Sequence, residues 1–100
     1  MIQIEPQFDD LIHPRQRLMI CAALADVKRI RFDLLAKALD MSAPTLSKHI
    51  SKLAEAQYIY TTADEKDSRR QWVSLSGTGS IAYAGHLAAL RALMTDAVDS

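Results

Sequence analysis

Cysteine occurs once in the chain, as Cys21. An internal disulfide is thereby excluded, and a reducing compartment suits such a chain. Long apolar runs are lacking too: none approaches the roughly 20 residues that a membrane-spanning helix needs. Met1 to Pro14 contains Glu5, Asp9 and Asp10 and has no continuous apolar stretch, so no secretion signal is read there and a cytoplasmic location is expected. Neither charge is in surplus, because Lys plus Arg and Asp plus Glu number 12 each. That balance argues against a uniformly basic nucleic-acid binder. Glycine and proline, three of each, leave no linker or low-complexity tract. Catalytic constellations are missing as well: there is no Ser-His-Asp set, no glycine-rich phosphate loop and no paired carboxylates, so no enzyme is expected. His13, His49 and His86 share no ligand spacing, so neither a metal nor another cofactor is expected.

Hydrophobic residues make up 49% and charged residues 24% of the 100 positions, which places the chain among ordinary globular domains. A single domain, 1–100, is expected, with one core and modest stability unless a partner adds buried surface. The charges are unevenly spread. Residues 1–13 carry only Glu5, Asp9 and Asp10; residues 14–52 carry eight basic side chains against three acidic ones; residues 53–100 carry four against six. A basic middle between acidic ends allows a positive face on a neutral molecule.

The periodicity divides the chain into elements. Residues 1–13 read as an ordered arm or a short helix, since Ile2, Ile4, Phe8, Leu11 and Ile12 are too apolar for a solvated tail. Pro14 suits the first turn of a helix that runs to about Ala25, with Leu18, Cys21, Ala22 and Leu24 inward. Ile30 is a candidate for a small strand. A second helix covers Phe32 to Leu39. Ser42 caps a third helix with Pro44 in its first turn, and Leu46, Ile50 and Leu53 form its single apolar stripe. Its other faces hold Thr45, Ser47, Lys48, His49 and Lys52. The period then falls to two: Tyr58 to Ala63 and Gln71 to Leu75 read as strands joined by a charged loop over 64–70. Alternation turns Ile59, Val73 and Leu75 inward and sets Tyr60 and Trp72 on the opposite face as a cross-strand pair. From Ser76 a long helix runs to about Val98. The fold class is therefore mainly α with a small β-hairpin (α+β), in the order α-α-α-β-β-α.

Two short helices around a tight turn, followed by a hairpin with a charged tip, make a helix-turn-helix with a wing. The stretch FDLLAKALDMSAPTLSKHISKLAEAQYI followed by DSRRQWVSLSGTG resembles the winged helix-turn-helix regulators of the MarR type. LIHPRQRLMICAAL near the start is similar to their compact single-domain relatives, and the resemblance spans roughly residues 11–95. It implies a homodimeric regulator, a repressor by preference, that binds double-stranded DNA with its third helix in the major groove and its wing tip at the adjacent minor groove. It places Ser42, Pro44, Thr45, Ser47, Lys48 and His49 at groove-facing positions, Arg69 at the wing arginine and Asp67 at the acidic position two before it. The family usually carries glycine where Asp40 and Gln57 stand here.

The residue chemistry agrees. Short hydroxyls such as Thr45 and Ser47 can approach base edges and phosphates, Lys48 and Lys52 can contact phosphates or guanine edges, and a helix N-terminus favours a phosphate. Arg69 and Arg70 on a hairpin tip suit the potential of a narrow minor groove. The plainer readings are a solvated Ser/Lys face, a loop salt-bridge cluster around Asp67, and an inert buried thiol at Cys21.

The last helix, 76–98, presents Tyr83, Leu87, Leu90, Met94 and Val98 at spacings of four, three, four and four. Ile81, Ala84 and Leu93 add further apolar surface. One small core cannot cover both sets, so a two-fold dimer is expected, with the arm of residues 1–13 helping to cover the helix. Two alternatives stay open: a winged-helix protein-interaction module that binds no DNA, favoured by the zero net charge, and a regulator gated by a small-molecule effector at the dimer interface.

Overall fold

The computed structural model describes residues 4–99, with side chains through Thr95. Seven elements follow one another: α1 (Arg15–Ala25), β1 (Ile30–Arg31), α2 (Phe32–Ala38), α3 (Ala43–Glu55), β2 (Ile59–Ala63), β3 (Gln71–Leu75) and α4 (Gly77–Asp99). The strands form one antiparallel sheet in the order β1-β3-β2. The expected order of helices and hairpin is the observed one, with the two-residue strand β1 added at the sheet edge. There Ile30 pairs with Val73 and Arg31 with Trp72.

The core gathers one stripe from each helix and the inner face of the sheet. Leu46, Ile50 and Leu53 of α3 are buried together with Leu35, Ile59, Val73 and Ile12. On α1 the inward stripe is Ile20, Cys21 and Leu24. Ala22, expected inside, is exposed because that stripe leaves it on the far side of the helix. Pro14 sits one place earlier than expected, at the N-cap, where its carbonyl accepts from Leu18 N–H at 2.9 Å.

Both helices of the helix-turn-helix end in the same device. After α2, Asp40 takes φ 53°, its N–H reaches Lys37 O at 3.2 Å and Met41 N–H reaches Ala36 O at 2.9 Å. After α3, Gln57 takes φ 64°, its N–H reaches Ala54 O and Tyr58 N–H reaches Leu53 O, both at 2.9 Å. These are Schellman closures, which need a left-handed residue and normally take glycine. Asp40 and Gln57 are therefore held in that conformation by the turn itself.

α4 begins on a built seat. Ser76 Oγ accepts from Gly79 N–H at 2.9 Å and donates to Gln57 O at 2.6 Å. A Cβ at position 79 would lie 2.2 Å from the Tyr58 carbonyl oxygen, so glycine is required for this close approach. Gly79 is what lets α4 dock.

Residues 4–9 form the ordered arm, extended along α4. Gln7 N–H donates to Gly85 O at 2.9 Å. The Asp9 carboxylate accepts from Leu11 and Ile12 N–H and from the Tyr58 hydroxyl at 2.6 Å, while Asp9 N–H donates to Nδ1 of the fully buried His86 at 3.0 Å. His86 Nε2 lies 3.2 Å from His13 Nδ1. A backbone N–H can only donate, so His86 Nδ1 accepts and its Nε2 carries the proton given to His13. Two histidines far apart in sequence thus meet, as a hydrogen-bonded pair that pins the arm. Among the described residues no group of three or more His, Cys, Asp or Glu side chains could hold a metal.

Candidate nucleic-acid interface

The local structure of α3 sorts its side chains. Ser42 Oγ accepts from Thr45 N–H at 3.3 Å and donates to Thr45 Oγ1 at 2.9 Å, so the cap leaves the Thr45 proton available for an outside acceptor. With Leu46, Ile50 and Leu53 turned inward, Pro44, Ser47, Lys48, Ser51 and Lys52 stand exposed. Ser51 was not singled out from the sequence. The signal was present, since it lies four past Ser47 and three past Lys48 on one helical face. Among the described residues the ion pairs are Arg31–Asp33, Arg69–Asp67 and Arg70–Asp67, so neither Lys48 nor Lys52 has a carboxylate within ion-pair distance.

His49 departs from its expected groove-facing role. It is half-buried on the flank toward α1, where Arg17 Nη1 lies 3.3 Å from its Nδ1 and Gln16 Oε1 lies 2.8 Å from its Nε2. Guanidinium only donates, so Nδ1 accepts and Nε2–H donates to Gln16. Burial, then the charges of Arg17, Lys48 and Lys52, hold the imidazole pKa below its ordinary value. His49 fastens α3 to α1 and has no ring nitrogen to spare.

The loop 64–70 is organised by two aspartates. Asp64 Oδ1 accepts from Lys66 and Asp67 N–H at 2.8 and 3.1 Å, and Asp64 N–H closes the loop on Arg70 O at 2.9 Å. Asp67 grips Arg69 through Nε at 3.1 Å and Nη2 at 3.3 Å, with Arg70 Nε 3.8 Å away. The Arg69 side chain is nevertheless 89% exposed. The salt-bridge cluster is therefore present, and it orients the arginines without covering them. Asp67 is held below the usual carboxylate range by the Arg69 side chain and backbone N–H. An open cleft of about 560 Å³ joins the two parts: Ala43, Pro44 and Ser47 of α3 line one side, Arg69, Arg70 and Gln71 the other, with Asp33 of α2 beside them.

A family model described as a winged helix DNA-binding domain matches residues 16–94. The chain belongs to that family. The MarR-like winged-helix organisation that the sequence resembles is the one observed. Solved structures of the same fold include a transcriptional regulator homologue from Pyrococcus horikoshii OT3, 24% identical over 90% of this chain and 89% of its own, with a TM-score of 0.83. YusO from Bacillus subtilis is 22% identical over 82% of this chain and 58% of its own, with a TM-score of 0.77. Overoxidized AbfR bound to DNA is 15% identical over 79% of this chain and 58% of its own, with a TM-score of 0.73. The chain thus spans under two thirds of the length of the last two. No curated protein sequence matches it significantly.

In this winged helix the remaining expected residues fall as follows. Tyr83, expected at a dimer seam, packs partly against its own core. Leu87 and Leu90 are half-buried, Leu93 and Met94 are 58% and 67% exposed, and Val98 lies outside the described side chains. Tyr60 and Trp72 are not opposite each other: Tyr60 pairs with Ser74 and Trp72 with Thr62. Cys21 is buried, and burial, with the Asp9 charge, pushes its thiol up to about 11, which keeps it protonated and inert.

Proposed function

We propose that the chain is a homodimeric, sequence-specific regulator of transcription that reads double-stranded DNA with α3 in the major groove and the wing tip at the neighbouring minor groove. The observation that carries this reading is the convergence of Pro44 and Ser47 of α3 with Arg69 and Arg70 of the wing on one open surface. The unpaired ammonium groups of Lys48 and Lys52 lie beside it. A helix N-terminus and arginines lining one open cleft match a groove and its flanking phosphates better than they match an apolar partner. AbfR, of the same fold, is seen bound to DNA. Ser42, Pro44, Thr45, Ser47, Lys48, Lys52, Arg69 and Arg70 form the proposed contact set, with Ser51 added and His49 reassigned to positioning.

The shape of α4 supports the dimer. Its inward stripe packs on the body at Ala82, Tyr83, His86 and Ala89. The same stripe continues through Leu90 to Leu93 and Met94, which none of the described residues covers fully. A second copy supplies that cover, and a two-fold axis there would set two α3 helices about 34 Å apart, one DNA turn. The operator is then an imperfect palindrome. Repression, rather than activation, follows the resemblance, and a cytoplasmic location follows the single cysteine. Among the described residues no helix is long and apolar enough to cross a membrane. Selection of duplexes from a random pool tests the reading: an enriched palindrome bound at low salt supports it, and no enrichment sinks it in favour of a protein-interaction module.

A cleft of about 430 Å³ between the arm and α4, lined by Ile4, Phe8, Tyr58 and Ile81 among others, favours a small-molecule effector as a second component of this reading. A panel of amphipathic aromatic compounds that leaves the melting temperature unmoved would remove it.

A further inference from the structure

Trp72 and Asp64 have no part in the contact surface, yet their side chains meet. Trp72 stands on the outer face of the sheet, between Thr62 of β2 and Arg31 of β1 in register. Its indole N–H donates to Asp64 Oδ2 at 2.9 Å, and the Arg29 guanidinium lies over its ring, 4.0 Å from the centroid. Asp64 spends its other oxygen on the N–H groups of Lys66 and Asp67. Asp67 in turn holds Arg69 and Arg70. A continuous chain of hydrogen bonds therefore runs from a rigid strand position to the wing arginines.

We propose that Trp72 is a positioning residue for DNA recognition: through Asp64 it fixes the wing loop at the angle that presents Arg69 and Arg70 beside α3. The inference rests on the DNA-binding reading. A loop of this length attached only at its two strand ends would sweep its arginines over many positions, and each would lose conformational freedom on meeting a phosphate. The indole N–H anchors the loop at its first residue, and Arg29 holds the indole from outside. The Asp64 carboxylate is kept ionised by the Lys66 N–H first, then by Trp72 and the Asp67 N–H, so the anchor is a charge-assisted bond.

Trp72→Phe keeps a ring for Arg29 and removes only the N–H. Its melting temperature should stay close to that of the wild type. In the free protein, amide exchange at Lys66 and Asp67 should quicken by roughly tenfold, as their acceptor loses its tether. On the selected duplex, affinity should fall by roughly three- to tenfold, and this loss should vanish in an Arg69→Ala/Arg70→Ala background, because the effect passes through those arginines. Unchanged exchange at Lys66 and Asp67 overturns the proposal. So does an equal loss of affinity with and without the two arginines. If the wild type selects no duplex, the DNA reading fails, and amide exchange alone decides whether Trp72 positions the wing.

Discussion

Three side chains on or beside α3 show how the same polar vocabulary serves different ends. Lys48 and Lys52 have no carboxylate within ion-pair distance among the described residues, whereas His49 gives both ring nitrogens to α1. Because its pKa in the folded state lies below the ordinary 6.5, the unfolded chain binds the proton more readily. The stabilisation His49 provides should be fully present above about pH 6.5 and be lost as the pH falls below it. Melting curves of wild type and His49→Ala should converge between neutral and mildly acidic pH; a constant gap would show that the ring contributes only by packing. Gln57 holds a conformation that costs a side-chain-bearing residue about 1–2 kcal/mol, part of which glycine returns through its freer unfolded chain. Gln57→Gly should therefore stabilise the domain by about 0.5–1 kcal/mol, visible as a rise in denaturation midpoint with an unchanged slope.

The elements were legible where one stripe or one cap decides them. The Leu46, Ile50, Leu53 stripe and the Ser42 cap mark α3 and its start from sequence alone, and alternation over Gln71–Leu75 marks β3. What escaped was whatever depends on a distant partner. Ile30 reads from sequence as no more than a candidate strand, which it and Arg31 become by pairing with the open edge of β3. Trp72 and Tyr60 sit on the face that alternation assigned, but the register sets them diagonally, which sequence cannot fix without the turn geometry. His49 looked like a reader because nothing in its own helix reveals Gln16 and Arg17 across the interface. The role of Gly79 is hidden because the Tyr58 carbonyl beneath it is 21 positions earlier in the chain. Gly79→Ala should force α4 off that carbonyl and destabilise by about 1–3 kcal/mol, as overpacking does. A melting temperature equal to the wild type's would show that the seat of α4 is loose.

At the scale of the whole molecule, the proposed reading makes one design of the arm, α4 and the paired surface of α3 and wing: two copies would join through the arm and α4 and present two reading heads. Leu93→Glu places a charge on the overhanging stripe without touching the core, so light scattering should find monomers with a fold unchanged by circular dichroism. A wild-type monomer at micromolar concentration would remove the dimer. The central claim, that the open polar face of α3 reads DNA, is tested most directly by affinity for the selected duplex as a function of salt, for wild type and Lys48→Ala/Lys52→Ala. Each phosphate contact contributes about 0.9 to the slope of log affinity against log salt. Loss of two phosphate-contacting lysines per subunit should therefore weaken binding and flatten that slope by about 1.8 per half-site. A double variant with the wild-type affinity and slope would contradict the assignment of α3 as the reading helix.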